Sequence, residues 1–171
     1  MLIKTIVPLT LSLLMLGCAH PEPKSDANLT LSADAATWQT DAMSQPGSVQ
    51  FEIIPEFESY TRLSLYNGDP DQYWKTRLAE LAFSGEGCNG GYELVLKYET
   101  DDAETLYRRS EILNWGEPIQ VNVTWSAGRT LSISAGSFDQ SIQINAMPDH
   151  IEMATIMGQA QIEHIHFNVN E

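Results

Sequence analysis

Only nine of the 171 residues are lysine or arginine, against 23 aspartates and glutamates. Nucleic-acid binding needs clustered cations, so this balance argues against a nucleic-acid partner. It argues equally against direct docking on anionic lipid headgroups. Cysteine is nearly absent, at two residues. No apolar run approaches the roughly 20 residues that a bilayer-spanning helix needs. Gly-x-Ser-x-Gly, P-loop and Cys-x-x-Cys patterns are missing too, which removes the common nucleophile-elbow, nucleotide and redox readings. What is present suffices for a core: 43 % of residues are hydrophobic, and the length suits one domain.

The first 17 residues carry one charge, Lys4, followed by an apolar stretch from Thr5 to Leu16 broken by Pro8, Thr10 and Ser12. A short apolar run behind a lysine is the pattern of a secretory signal. It ends in Met15-Leu16-Gly17-Cys18, which resembles the bacterial lipobox, with Met15 in the place where leucine is usual. The resemblance implies cleavage before Cys18 and acylation of its thiol by palmitate-type chains. One such chain holds a protein only marginally, whereas two or three hold it firmly. Ala19 after the cysteine favours the outer membrane over the inner, by the same resemblance. The expected organisation is a signal peptide over 1–17, a lipidated cysteine and tether over 18–28, and one domain over 29–171. Without residues 1–17, eight basic residues face 23 acidic ones, a net charge of −15. Solvated carboxylates in that excess keep a domain soluble and off an anionic surface. Acylation of Cys18 leaves Cys88 without a partner in the chain, so no intramolecular disulfide is expected.

Beyond the tether the dominant signal is period two. In Ile119-Gln120-Val121-Asn122-Val123-Thr124-Trp125 the apolar residues share one face and the polar residues the other, as in a half-buried strand. Ser126 to Arg129 turn the chain, and Leu131, Ile133 and Ala135 resume the alternation, which predicts a hairpin. The same alternation predicts strands through Val49–Ile53, Leu63–Leu65, Ala79–Phe83, Tyr92–Tyr98, Ile142–Ile144 and Ile165–Val169. Turn residues recur every 8–14 positions, and no strong amphipathic helix is present. Many short strands at such spacing predict an all-β antiparallel sandwich or barrel.

Several groups could carry chemistry. Asn67, Asp69 and Asp71 place three oxygen ligands on a short Gly/Pro loop, as calcium favours, so a structural calcium is the cofactor they would hold. The plain alternative is a turn, because Asn-Gly-Asp-Pro is an ordinary turn signal. Tyr66, Tyr73 and Trp74 flank that loop, and with Trp115 they are the candidate ligand-binding aromatics. Flat rings beside carboxylates suit sugars, although aromatics in a sandwich also build cores. Glu52, Glu56 and Glu58 do not form a Glu-x-Asp-x-x-Glu pattern, which would set two carboxylates across a glycosidic bond, and Pro55 is expected to interrupt their strand. His164 and His166 at i, i+2 would chelate a transition metal if a third ligand such as His150 converged.

The stretch from Trp115 to Trp125, followed by its turn and Leu131-Ser132-Ile133-Ser134, resembles concanavalin A-like lectin/glucanase jelly rolls, of the laminin-G-like kind. Gly158 to Phe167 is similar to their closing strand, with Glu163 where aspartate is common. Gly47 to Pro55 is similar to an early strand. The resemblance implies a jelly-roll β-sandwich and a saccharide as first ligand. The expected function is therefore an envelope-anchored, non-catalytic binding module with glycan as first-choice ligand. The alternatives are an envelope assembly lipoprotein that binds another protein, and, third, a polysaccharide-acting hydrolase or lyase.

Overall fold

A computed structural model describes residues 27–32, 37–42, 44–85, 90–100 and 102–169. Cys18, Cys88 and the lipobox lie outside the described residues. Thirteen strands are seen among those described: β1 (Ala27–Ser32), β2 (Thr37–Asp41), β3 (Gly47–Pro55), β4 (Tyr60–Tyr66), β5 (Arg77–Ser84), β6 (Gly91–Glu99), β7 (Thr105–Arg109), β8 (Leu113–Asn114), β9 (Ile119–Trp125), β10 (Thr130–Ala135), β11 (Phe138–Gln143), β12 (His150–Met157) and β13 (Gln159–Val169). Between β4 and β5 a 3₁₀ turn (Pro70–Gln72) leads into a single helical turn, α1 (Tyr73–Thr76).

Two antiparallel sheets pack face to face. The first has the order β1-β13-β3-β9-β10-β11, and the second β2-β12-β4-β5-β6-β7, with β8 pairing β6. Successive strands β1 to β4 fall in alternate sheets, as do β12 and β13, so the chain wraps around the core as a jelly roll. Each strand feeds that core with alternate residues. Val49, Phe51 and Ile53 of β3 and Val121, Val123 and Trp125 of β9 face Leu63 and Leu65 of β4 and Leu81 and Phe83 of β5. Phe51 and Phe83 meet edge-to-face across the two sheets, with ring centroids 6.4 Å apart. Burying each such side chain stabilises the fold by about 1.5–3 kcal/mol. Trp125 ends β9 fully inside, stacked on Phe167, and its indole N–H donates to the Gln45 carbonyl at 2.6 Å.

Three local features depart from the expected pattern. Pro55 does not interrupt β3: it is the last residue of the strand, pairs with Ala160, and its carbonyl accepts from Gly116 N–H at 3.1 Å. β1 pairs with β13 from Ala27 onward, two residues before the expected domain start at Leu29. In β13 the register shifts between Glu163 and His166, and His164 adopts φ +54°. That bulge carries Ile162 and Ile165, three residues apart, into the same core.

The strand directions define two ends. At one, Tyr66 leads into the loop 67–76, and Asp41, His150 and Val169 lie at the same end of their strands. At the other, the β3–β4 turn carrying Phe57 lies against the β12–β13 turn. There Gly158 has φ +70°, and a Cβ on it would stand 2.9 Å from Ser59 Cα.

Candidate functional site

With Thr61, Leu63 and Leu65 committed to the core, β4 presents Tyr60, Arg62, Ser64 and Tyr66 on the outer face of the second sheet. By the same alternation β5 presents Glu80, β6 presents Glu93, Lys97 and Glu99, and β12 presents His150 and Glu152. The register aligns one polar row across six strands: Gln39, Glu152, Ser64, Glu80, Lys97 and Tyr107.

Glu80 is the centre of this face. It is 6 % exposed, and among the described residues it is the only buried charged side chain. Arg77 donates to its Oε2, Arg62 Nη1 stands 3.6 Å from the same oxygen, and the Tyr60 hydroxyl donates to Oε1 at 3.4 Å. Arg62 Nη2 reaches Glu152 Oε1 at 3.4 Å. The result is a lattice of alternating sign, Arg77–Glu80–Arg62–Glu152, spanning three strands. A carboxylate this buried persists only when cations and donors surround it. Burial pushes the Tyr60 phenol above its ordinary range, and the Glu80 charge adds to the rise, so Tyr60 stays a donor at neutral pH. The Tyr66 phenol is likewise raised, first by burial, with the Ser64 hydroxyl opposing and the Glu152 charge assisting. Beside it, His150 Nδ1 lies 3.5 Å from Asp41 Oδ1, and its ring centroid is 6.1 Å from that of Tyr66. Two buried nitrogens of this face, Arg62 Nε and His150 Nε2, have no hydrogen-bond partner among the described residues.

The loop 67–76 borders this face and is held by its own polar groups. Asp69 caps the 3₁₀ turn, its Oδ1 accepting from Asp71 N–H at 2.9 Å. Thr76 Oγ1 donates to the Asp69 carbonyl at 2.7 Å, and Asn67 N–H donates to the Thr76 carbonyl at 2.8 Å. Gly68, at φ +108°, directs its N–H to the Asp149 carboxylate at 2.9 Å. So pinned, the loop holds Tyr73 and Trp74 out of the core, 47 % and 59 % exposed, with ring centroids 5.2 Å apart. The Arg77 guanidinium lies over the Tyr73 ring, 5.5 Å from its centroid. Arg77 therefore joins the exposed rings to the charged lattice.

The candidate residues named from sequence do not form one site. Tyr66 is buried at the edge of the lattice, while Tyr73 and Trp74 are exposed beside it. Trp115 lies at the opposite end, half-buried, with Phe57 at 6.0 Å and Tyr92 at 5.3 Å, and a Cβ on Gly85 would strike its ring. Asn67, Asp69 and Asp71 make the contacts of a capped turn. Asn67 directs its amide N–H to the Met147 carbonyl at 2.9 Å, and Asp69 serves as the cap. Among the described residues no three acidic, histidine or cysteine side chains stand together. His150 belongs to the second sheet and His164 and His166 to the first, so the three do not converge. Glu52 accepts from Gln120 on the outer face of the first sheet, while Glu56 and Glu58 are exposed in the β3–β4 turn.

Sequence reasoning did not single out the lattice. Its members span residues 62 to 152 and share no local motif. The signal available was weaker: Arg62 and Glu80 occupy the polar positions of strands whose apolar positions were plain.

No protein-family model matches the chain, and no curated protein matches it in sequence. Solved structures do match. An alginate lyase from Alteromonas sp. 272 superposes with a TM-score of 0.62 at 9 % identity, over 84 % of this chain and 89 % of that one. A galectin of Caenorhabditis elegans superposes at 0.57 with 11 % identity, over 82 % and 95 %. The binding domain of botulinum neurotoxin serotype D superposes at 0.56 with 11 % identity, over 84 % of this chain but 39 % of that one. At such identities the likeness establishes the fold. It also corrects the expectation of a non-catalytic domain: alginate lyases are built on this sandwich as galectins are, so the fold does not set catalysis aside.

Proposed function

We propose that the outer face of the second sheet, together with the loop 67–76, binds saccharide. The observation that carries this reading is the continuity from Trp74 through Tyr73 and Arg77 to Glu80 and Arg62. Sugars present apolar C–H faces and fans of hydroxyls. Exposed rings take the first, and a layer of alternating guanidinium and carboxylate groups takes the second by both donating and accepting. The same face carries Tyr60, Tyr66 and His150, groups that hold or move protons. A bound polymer is therefore assayed for cleavage as well as for binding.

The test is a glycan array followed by calorimetry on soluble oligosaccharides. Trp74→Ala is expected to weaken binding at least tenfold while the far-UV spectrum is unchanged, in line with about 1.4 kcal/mol per tenfold. Equal affinity of the variant, or no glycan bound by the parent protein, rejects the reading.

A second reading, attachment to another protein, is favoured by the opposite end, where Phe57 of the β3–β4 turn and Ile156 and Met157 at the end of β12 are exposed. Crosslinking through cysteines placed there separates the two. We place either activity at the cell envelope, held through Cys18. The support is the lipobox, and the check is whether Cys18→Ser releases the protein from the membrane fraction.

A further inference from the structure

We infer that the ligand of this face is an uncharged saccharide, and that the Arg–Glu lattice is the element that rejects uronate and sulfated chains. The inference rests on the saccharide reading above and goes beyond it to the substrate class.

The charge of the face is the first ground. Arg62, Arg77, Lys97 and Arg109 share it with Asp41, Glu80, Glu93, Glu99 and Glu152. The bordering loop region adds Asp69, Asp71 and Asp149 against Lys75 alone. Cations are thus outnumbered where the ligand would lie, in a protein whose net charge is already −14. The long-range field repels a polyanion before contact.

The second ground is that the cations are already engaged. Arg62 is held between Glu80 and Glu152, Arg77 against Glu80, and Arg109 Nη1 on Glu93 Oε2 at 2.7 Å. Recognition of a carboxylate requires a guanidinium with its forked edge open. An incoming uronate would have to displace a protein carboxylate and then remain beside it. A hydroxyl has no such conflict, because it donates to the partly exposed Glu152 while accepting from an arginine.

The experiment titrates the full chain with two matched series of oligosaccharides. One is neutral (gluco-, xylo-, manno- and galacto-oligomers). The other is acidic (alginate and polygalacturonate oligomers). The expected result is binding of at least one neutral series, with the acidic series at least tenfold weaker at low salt and the gap narrowing as salt is raised. Acidic oligomers bound as tightly as neutral ones, or more tightly, overturn the inference and leave the saccharide reading standing. Binding of neither series removes both. Glu152→Gln, at a partly exposed member of the lattice, is expected to shift the acidic-to-neutral affinity ratio at least fivefold toward acidic chains. An unchanged ratio overturns the lattice as the discriminating element.

Discussion

Arg62 and Glu80 meet diagonally across β4 and β5, Nη1 3.6 Å from Oε2, on the outer face of the second sheet. Their backbones are fixed by the cross-strand partners Ala82 and Ser64, so the ion pair is set by register and not by side-chain search. A carboxylate and a guanidinium are brought together this way in a position that water reaches poorly, and each depends on the other.

That dependence gives a stability prediction. Glu80→Gln keeps the shape of the side chain and removes the charge that Arg62 and Arg77 share. It is expected to destabilise the domain by about 1–3 kcal/mol, the usual penalty for stranding a buried polar or charged group. Urea unfolding measures it. In a double-mutant cycle with Arg62→Met the losses should be less than additive, because the second change removes the stranded partner. Additive losses, or no loss from Glu80→Gln, would show that the lattice carries no coupling.

Gly158 offers a second test, remote from the face. Its φ of +70° suits glycine, and a Cβ there meets the Ser59 backbone at 2.9 Å. Gly158→Ala should cost about 1–3 kcal/mol, in the range of a strained backbone position. Gly128→Ala is the control: its nearest heavy atom would be the Ser126 hydroxyl at 3.6 Å, so it should be close to neutral. Thermal denaturation compares the two, and equal melting temperatures would remove the steric argument.

The alkaline limb of stability follows from the tyrosines. Burial pushes the Tyr92 phenol up to about 12, with the Glu117 charge adding, from an ordinary 10. Tyr60 and Tyr66 are raised in the same direction. A folded-state value above the unfolded one means the fold favours the protonated phenol. The stabilisation is therefore complete below pH 10 and is lost as pH rises toward 12. Urea midpoints are expected to fall across that window, and Tyr92→Phe should shallow the fall. A parallel profile for the variant would contradict the assignment to Tyr92.

The sandwich was legible in the sequence where a strand is half-buried and its apolar face unbroken. β9, with Ile119, Val121, Val123 and Trp125 inward, is the plainest example. It was not legible at β7, an edge strand exposed along most of its length, nor at β2, where Trp38 is the large apolar residue turned inward. β12 was obscured differently. Its third inward residue is Thr155, whose hydroxyl shares a hydrogen bond with Thr61 at 2.9 Å inside the core, so the apolar alternation stops short. The aromatic loop could be found because its members are neighbours in sequence. Trp115 matched them in chemistry, yet the chain carries it to the far end. The lattice stayed hidden because antiparallel pairing, and nothing local, brings Arg62, Glu80 and Glu152 together.

β1 pairs with β13 from Ala27, opposite Ile165, and runs toward Gln159. The chain therefore enters the sandwich from the end that carries Trp74. If Cys18 is the lipid attachment point, as proposed above, nine residue steps would separate lipid from strand, a reach of at most about 30 Å. Under that proposed anchoring, Trp74 and the face behind it would be confined to a thin shell above the bilayer. Inside that shell the effective concentration of any polymer lying along the same surface is set by geometry and not by its bulk amount. A site of modest intrinsic affinity would stay occupied there, and the same site cut free of its lipid would lose that advantage without losing a single contact.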